Sequence, residues 1–217
     1  MSASPDKPQD SSSRRRRKEA RPPEIVRAAL EEFAEKGFAA AKLDDVARRA
    51  RISKGTIYLY FADKEALFDA VVRETLSPVL DRVESLGQNP PGRVEDLLCH
   101  LIATVYREVV ATERRQIIRM MVAESGRFPH LAEFYHREMV SRGKALLRAV
   151  VAHGVATGEF REGPAARHPE VLLGPAIMAA LWKMLFDRLD PLDLDGFMAA
   201  HLDVVLNGLK NPDAPRG

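Results

Sequence analysis

Apolar residues recur at intervals of three and four along most of the chain, which is the spacing of one face of an α-helix. The first such stripe lies in a helix predicted from about Pro23 to Lys36, and it consists of Val26, Ala29, Leu30 and Phe33. Sustained alternation of apolar and polar residues, the pattern of a β-strand, is absent from the sequence. The pattern therefore predicts an all-α protein of about nine helices.

Caps and glycines indicate where the other helices begin and end. Ser53 and Asp63 are good N-cap residues, Gly37 and Gly158 are typical of helix ends, and Pro78 predicts a kink. After the first helix, the predicted helices cover about 43–50, 54–60, 63–86, 94–110, 114–124, 129–157, 169–189 and 194–209.

The two short helices at 43–50 and 54–60 have the spacing of a helix-turn-helix, because only three residues separate them. Their apolar residues can form one small core, and the second helix then presents a face without carboxylates. The predicted core is Val46, Ala47, Ile52, Ile57 and Phe61, and the outward face is Lys54, Gly55, Thr56, Tyr58 and Tyr60.

Such a face suits DNA, since ammonium and hydroxyl groups donate to phosphate oxygens and base edges, and a threonine methyl can touch thymine. Lys64 follows the cap Asp63 at a helix N-terminus, where a phosphate could be held. The alternatives are that Tyr58 and Tyr60 pack against neighbouring helices and that Lys54 and Lys64 are solvated surface lysines.

Charge is concentrated at the same end of the chain. Residues 14–60 carry 13 Lys/Arg against 7 Asp/Glu, a net charge of +6, although the whole chain has only +2. The run Arg14-Arg15-Arg16-Arg17-Lys18 suggests weak, non-specific phosphate binding. The alternative is a solvated basic tail and domain with no partner.

The segment GFAAAKLDDVARRARISKGTIYLYFADKEALFDAVV, from Gly37 to Val72, closely resembles the DNA-binding region of TetR-family repressors. The resemblance rests most on the run from Ser53 to Phe61 and on the run from Asp63 to Leu67. It implies that Thr56, Tyr58 and Tyr60 lie on a recognition helix, that Lys64 holds a phosphate, and that the nine helices form the family's fold.

Two positions depart from the family pattern. Lys42 replaces the threonine that caps the second helix, which removes a cap worth about 1 kcal/mol but leaves a cation for phosphate. Arg51 replaces the glycine that opens the turn, so it is strained if the backbone there keeps a positive φ. Arg51 can also add a DNA contact.

The resemblance implies a ligand-responsive transcriptional regulator, a repressor that a small effector releases from double-stranded operator DNA. We expect a disordered basic arm at 1–21, a helix-turn-helix DNA-binding domain at 22–68, an effector-binding and dimerisation domain at 69–210, and a disordered tail at 211–217. The stretch from Glu113 to Gly158 resembles more weakly a TetR subgroup that includes efflux-associated regulators.

An apolar or amphipathic effector calls for a pocket of adaptable side chains in the second domain. The candidates are Cys99, Ile102, Tyr106, Met120, Met121, Phe134, Tyr135, Met178 and Trp182. The alternative is that these residues belong to an ordinary core, where methionine and aromatic side chains at helical spacing usually lie.

The last two predicted helices have apolar faces that would form a four-helix bundle in a homodimer. These faces are Ile177, Ala180, Leu181, Met184 and Leu185 on one helix, and Phe197, Leu202, Val205, Leu206 and Leu209 on the other. Burial of both faces within one chain is the alternative. A dimer is favoured because one small domain contacts too few base pairs alone.

Other functional classes find little support in the sequence. Cys99 is the single cysteine, and no histidine pair has metal-ligand spacing, so we expect neither a disulfide, a metal nor a cofactor. No nucleophile motif or glycine-rich phosphate loop indicates an enzyme. The absence of a signal peptide and of a membrane span predicts a cytoplasmic protein. A helical module that binds protein or acidic lipid does not explain the run from Ser53 to Phe61.

Overall fold

A computed structural model of the chain describes residues 21–88 and 92–212. These residues form helices and no strand, which confirms the predicted all-α class; one isolated antiparallel bridge joins Phe160 and Lys210. The arm predicted at 1–21 and the tail predicted at 211–217 lie outside the described residues, except for Arg21, Asn211 and Pro212. Arg21 is helical.

The α-helices are labelled in chain order. They are α1 (Arg21–Ala40), α2 (Leu43–Arg49), α3 (Lys54–Tyr58), α4 (Lys64–Gln88), α5 (Val94–Thr104), α6 (Arg115–Glu124), α7 (Pro129–Tyr135), α8 (Ser141–Ala156), α9 (Pro164–Arg167), α10 (Gly174–Leu185) and α11 (Leu194–Leu209). Two π-helical segments, Val105–Val110 and His136–Val140, and one 3₁₀ segment, Pro169–Leu173, complete the helical elements.

The chain divides into two compact units between Val71 and Val72, a point inside α4. In the N-terminal unit, α1, α2 and α3 enclose a core in which the rings of Phe33, Phe38 and Phe68 have centroids 5.5–6.3 Å apart. The small core predicted for the helix-turn-helix is largely present, since Val46, Ala47, Ile57 and Phe61 are buried and Ile52 is half-buried.

The C-terminal unit, from Val72 onward, has its own apolar core. Most of its helices lie at predicted positions, but the helices predicted at 94–110 and 129–157 are each interrupted by a π-helical segment. The helix predicted at 169–189 begins with the 3₁₀ segment, and α9 was not predicted. A π-helical turn adds one residue to the turn and changes which side chains face inward, so the 3.6-residue period fails beyond it. Gly158, with φ of +78°, ends the last turn of α8 as predicted.

The faces predicted for dimerisation are partly buried within the chain. Ala180, Val205 and Leu209 are buried in the core of the C-terminal unit, so the prediction was wrong for these three residues. The apolar residues that α10 and α11 leave exposed are Ile177, Met178, Leu185 and Val204. A helix that packs against the core of its own chain can contact a second chain only through its opposite side.

Candidate functional site

The helix-turn-helix is held by backbone and cap hydrogen bonds. Ser53 caps α3 as predicted: its hydroxyl oxygen accepts from the backbone N–H of Thr56 at 3.2 Å and lies 2.8 Å from the Thr56 hydroxyl. The N–H of Ile52 donates to the carbonyl of Ala47 at 2.9 Å, which closes the turn. Asp63 caps α4 in the same way, accepting from the N–H of Ala66 at 2.7 Å.

The predicted DNA-binding residues lie at the N-cap of α2, in the turn, on and just after α3, and at the start of α4, and most of them are accessible. Half-buried side chains belong to Thr56, Tyr60 and Lys64. The exposed residues are Lys42, Arg51, Ser53, Lys54, Gly55 and Tyr58, and Tyr58 is 50 % accessible. This exposure leaves cations and hydroxyl groups available to a phosphate backbone or a groove.

Lys54 has a carboxylate partner that the sequence pattern did not reveal. Its ammonium donates to Asp44 at 2.9 Å, and both side chains are about half exposed. This hydrogen bond raises the pKa of Lys54. Asp44 lies in the first turn of α2, where a carboxylate also favours the helix dipole. A phosphate that binds Lys54 must compete with this carboxylate.

The two departures from the family pattern have the expected backbone consequences. Lys42 is the N-cap of α2, and its side chain makes no capping hydrogen bond. Arg51 has φ of +55°, and it is the non-glycine residue with positive φ in the described part of the chain. The turn therefore keeps the backbone that glycine favours while an arginine occupies it.

The predicted phosphate contact of Lys64 meets an intramolecular competitor. The ammonium donates to the carbonyls of Phe38, Ala39 and Ala41 at 2.7, 3.2 and 3.1 Å, and it lies 4.6 Å from the centre of the Phe38 ring. An ammonium has three N–H donors. Lys64 therefore holds the end of α1 and would have to release a carbonyl to bind phosphate.

Ion pairs fix α2 against α1. Glu32 is only 2 % exposed, and its carboxylate receives Lys36 at 2.6 Å and Arg49 at 3.1 Å. Arg49 also contacts Glu31 and Glu35, and Lys36 donates to Asp45 at 2.8 Å. A buried carboxylate needs such partners. These contacts hold the first helix of the motif in place.

The C-terminal unit contains a partly open cavity of about 110 Å³. The side chains of its wall are entirely apolar, and they belong to α4, α5, α8 and the segments beside these helices. The lining residues are Leu76, Val79, Leu80, Val83, Leu101, Val105, Val109, Met139, Gly143, Leu146, Leu147 and Leu173.

None of the nine residues predicted for the effector pocket lines this cavity. Ile102, Tyr106, Met120 and Phe134 are buried in the protein interior instead. Cys99, Met121, Tyr135 and Trp182 are half-buried, and Met178 is exposed. The Trp182 indole donates to the carbonyl of Asp190 at 2.9 Å. Gly143 was missed, although a glycine in the middle of a predicted helix is an available signal.

One buried polar pair joins the π-helical segment Val105–Val110 to α11. The Tyr106 hydroxyl lies 3.0 Å from Nδ1 of His201, and both residues are buried. Burial raises the pKa of Tyr106 to about 12 and lowers the pKa of His201. The pair is therefore neutral near pH 7 and ties α11 to the segment that forms part of the cavity wall.

Within residues 21–88 and 92–212, no group of three or more His, Cys, Asp or Glu side chains is placed to hold a metal ion. The same residues include no helix with the length and hydropathy of a membrane span.

Two family models match the chain. Residues 25–71 match the model for bacterial regulatory proteins of the tetR family, and residues 91–196 match a model for the C-terminal domain of tetracyclin repressor-like proteins. YdeS, an uncharacterized HTH-type transcriptional regulator of Bacillus subtilis (strain 168), is 29% identical over 140 residues, which cover 64% of this chain and 66% of YdeS.

Solved structures agree with these matches at the level of the fold. The transcriptional regulator FadR of Bacillus subtilis, solved with stearoyl-CoA, superposes with a TM-score of 0.73 at 22% identity, covering 85% of this chain and 97% of FadR. A SmeT–triclosan complex superposes with a TM-score of 0.76 at 21% identity, covering 91% of this chain and 96% of SmeT. Both units of the chain thus resemble proteins of one family.

Proposed function

Because the chain belongs to the TetR family of bacterial regulatory proteins and is a ligand-responsive DNA-binding regulator, we propose that it is a homodimeric repressor that an apolar or amphipathic effector releases from its operator. The observation that carries this proposal is the capped helix α3, which presents Lys54, Gly55 and Tyr58 to solvent beside the exposed cations Lys42 and Arg51. We expect it to act in the cytoplasm, where its DNA lies.

The DNA contacts fall into two classes. Lys42, Arg51 and Lys54 carry positive charge, and they would bind phosphates in a salt-dependent way without distinguishing sequences. Ser53, Gly55, Thr56, Tyr58 and Tyr60 lie on or beside α3, and they would contact base edges or the backbone in the major groove. At Lys64 a phosphate would be held by the N-terminus of α4 and not by the ammonium, because the ammonium already donates to backbone carbonyls.

Two copies are needed for a specific site, since one short recognition helix covers few base pairs. The family's regulators form dimers, and we place the contact of this chain on the exposed apolar residues of α10 and α11: Ile177, Met178, Leu185 and Val204. When a second copy covers accessible apolar side chains on two neighbouring helices, the burial of their surface lowers the free energy of the dimer.

Release follows if the effector favours a state in which the two DNA-binding domains no longer fit successive major grooves. Helix α4 supports this, because it starts in the N-terminal unit at Lys64 and carries cavity-lining residues in the C-terminal unit. FadR and SmeT, which share the fold, were solved with an acyl-CoA and with triclosan, ligands with large apolar parts.

The test is fluorescence anisotropy with the duplex upstream of the gene for this chain and with a scrambled duplex, each at two salt concentrations. We expect the upstream duplex to bind more tightly and Tyr58→Ala to lose that preference. Lys54→Gln, which removes the positive charge and leaves Asp44 without this partner, should weaken binding to both duplexes and lower the salt dependence by about one phosphate contact. Equal binding of both duplexes by the wild type and by Tyr58→Ala would refute specific recognition.

A further inference from the structure

Three apolar stripes meet at the cavity of the C-terminal unit. The stripe on α4 is Leu76, Val79, Leu80 and Val83, and the stripe that begins on α5 is Leu101, Val105 and Val109. The third is Met139, Gly143, Leu146 and Leu147, at intervals of four, three and one, which place its members on one face of α8 and the segment before it. Gly143 therefore stands where its neighbours on that face carry large side chains.

Gly143 leaves open space and not a close contact. A Cβ built on it meets no heavy atom within 4 Å, in contrast to Gly154, where the Phe160 ring would be 2.2–2.8 Å away. Glycine in a helix interior is unfavourable relative to alanine. No neighbouring atom requires a glycine at this position. The lack of a side chain at Gly143 therefore leaves space in the cavity wall.

Both π-helical segments of the C-terminal unit border the same cavity. Val105–Val110 supplies Val105 and Val109, while its Tyr106 faces the interior and approaches His201. His136–Val140 supplies Met139, one turn before Gly143. π-Helical turns are uncommon and often lie at functional sites. Their position is an observation independent of Gly143, and it also indicates a binding site.

The wall selects for hydrocarbon. Every side chain that lines the cavity is aliphatic or a thioether, so a hydroxyl or charged group inside would lose its hydrogen bonds to water and find no replacement. A dry cavity of about 150 Å³ accommodates a benzene ring in another protein, and this one is about 110 Å³. The opening matches an alkyl chain of a few carbons or one small ring.

We propose that Gly143 sets the size of the hydrocarbon group that this cavity admits when the polar part of the effector stays outside. The proposal rests on the proposed function only in calling the occupant an effector. Its site, chemical class and size limit follow from the cavity alone.

The probe is 1-hexanol, compared with 1,6-hexanediol, which has the same chain with a second hydroxyl. Each is titrated into the full chain labelled with ¹³C at the methionine methyl groups, because the Met139 methyl belongs to a cavity-lining side chain. Met139→Leu assigns its resonance. The variants are Gly143→Leu, which fills the opening, and Ala145→Leu, which adds the same bulk on the exposed side of α8.

We expect 1-hexanol to shift the Met139 resonance saturably in the wild type and in Ala145→Leu, and 1,6-hexanediol to bind at least about fivefold more weakly. Gly143→Leu should weaken 1-hexanol binding by about tenfold or more. Gly143→Ala, which adds one methyl to a helix position that favours alanine, should give an intermediate affinity even if Gly143→Leu fails to fold.

Wild-type affinity in both Gly143 variants, or equal affinity for the alcohol and the diol, would overturn the proposal. No DNA is present in this titration. Loss of specific DNA recognition in the anisotropy assay would therefore refute the proposed function and leave this result standing, and the reverse also holds.

Discussion

Arg51 occupies a backbone conformation that L-residues other than asparagine and aspartate rarely adopt, with φ of +55°. Arg51→Gly should therefore raise the free energy of unfolding by about 0.5–1 kcal/mol, since the relief of strain exceeds the extra entropy of glycine in the unfolded chain. Urea denaturation followed by circular dichroism measures this difference.

Arg51→Lys is the matched control, because it keeps the charge and the strain. It should leave the unfolding free energy within about 0.5 kcal/mol of the wild type. In the anisotropy assay Arg51→Gly should bind every duplex more weakly than Arg51→Lys does. A glycine variant no more stable than the lysine variant would show that the turn carries no strain.

Single residues also show which parts of the site a sequence can predict. Ser53 and Asp63 were identified as caps because a cap depends on the residue and its next three neighbours. Lys54 pairs with Asp44, which is ten residues away on another helix, and the three carbonyls on Lys64 come from the end of α1 and the residue after it. Such contacts depend on side-chain directions set by packing.

At the scale of elements, helical periodicity located the helices but not the cavity. It gave the bounds of α11 and the start of α5, because a regular amphipathic helix repeats its pattern every turn. The π-helical segments break that repeat. Beyond such a break, Val105 and Val109 line the cavity while Tyr106 lies in the core, so the 3.6-residue period does not indicate which side chains line the cavity.

The pair of Tyr106 and His201 makes the packing of α11 sensitive to acid. A histidine in the unfolded chain binds a proton near pH 6.5, whereas burial lowers the pKa of His201 in the folded chain. The unfolded state then binds more protons as the pH falls from 7 to 5, so the folded state loses stability over that interval.

The measurement is the thermal unfolding midpoint at pH 7 and pH 5. His201→Gln keeps a group that can hydrogen-bond to Tyr106 but does not titrate, so its midpoint should fall less on acidification than that of the wild type. His153→Gln, at an exposed position on α8, should fall as the wild type does. If His201→Gln and His153→Gln respond alike, the buried pair does not cause the acid sensitivity.

In the whole molecule, the distribution of charge and the course of helix α4 assign DNA binding and effector binding to different parts of the proposed mechanism. The net charge of +6 in residues 14–60 contrasts with −3 in residues 61–217, so attraction to DNA is confined to one end of the chain. Helix α4 then runs from the N-terminal unit into the C-terminal unit, where part of it lines the cavity. In the proposed mechanism, DNA recognition and effector binding would therefore involve opposite ends of one helix.

The sequence predicted the family and the fold class better than it predicted the cavity of the C-terminal unit. A recognition helix has to fit a DNA groove, and that constraint leaves a recognisable pattern such as the run from Ser53 to Phe61. An apolar cavity can be built from many combinations of leucine, valine and methionine, all of which also occur in ordinary cores. The family and the fold were therefore predictable, while the lining of the cavity was not.

We propose that the chain recognises a specific DNA sequence as a two-fold symmetric dimer. Selection of bound duplexes from a random-sequence library tests it most directly, with the wild type and Tyr58→Ala in parallel. We predict enrichment of a palindromic site whose half-sites are one or two helical turns apart, about 10 or 21 base pairs, and its loss or change in Tyr58→Ala. An unenriched library, or the same enriched sequence with both proteins, would refute specific recognition through Tyr58.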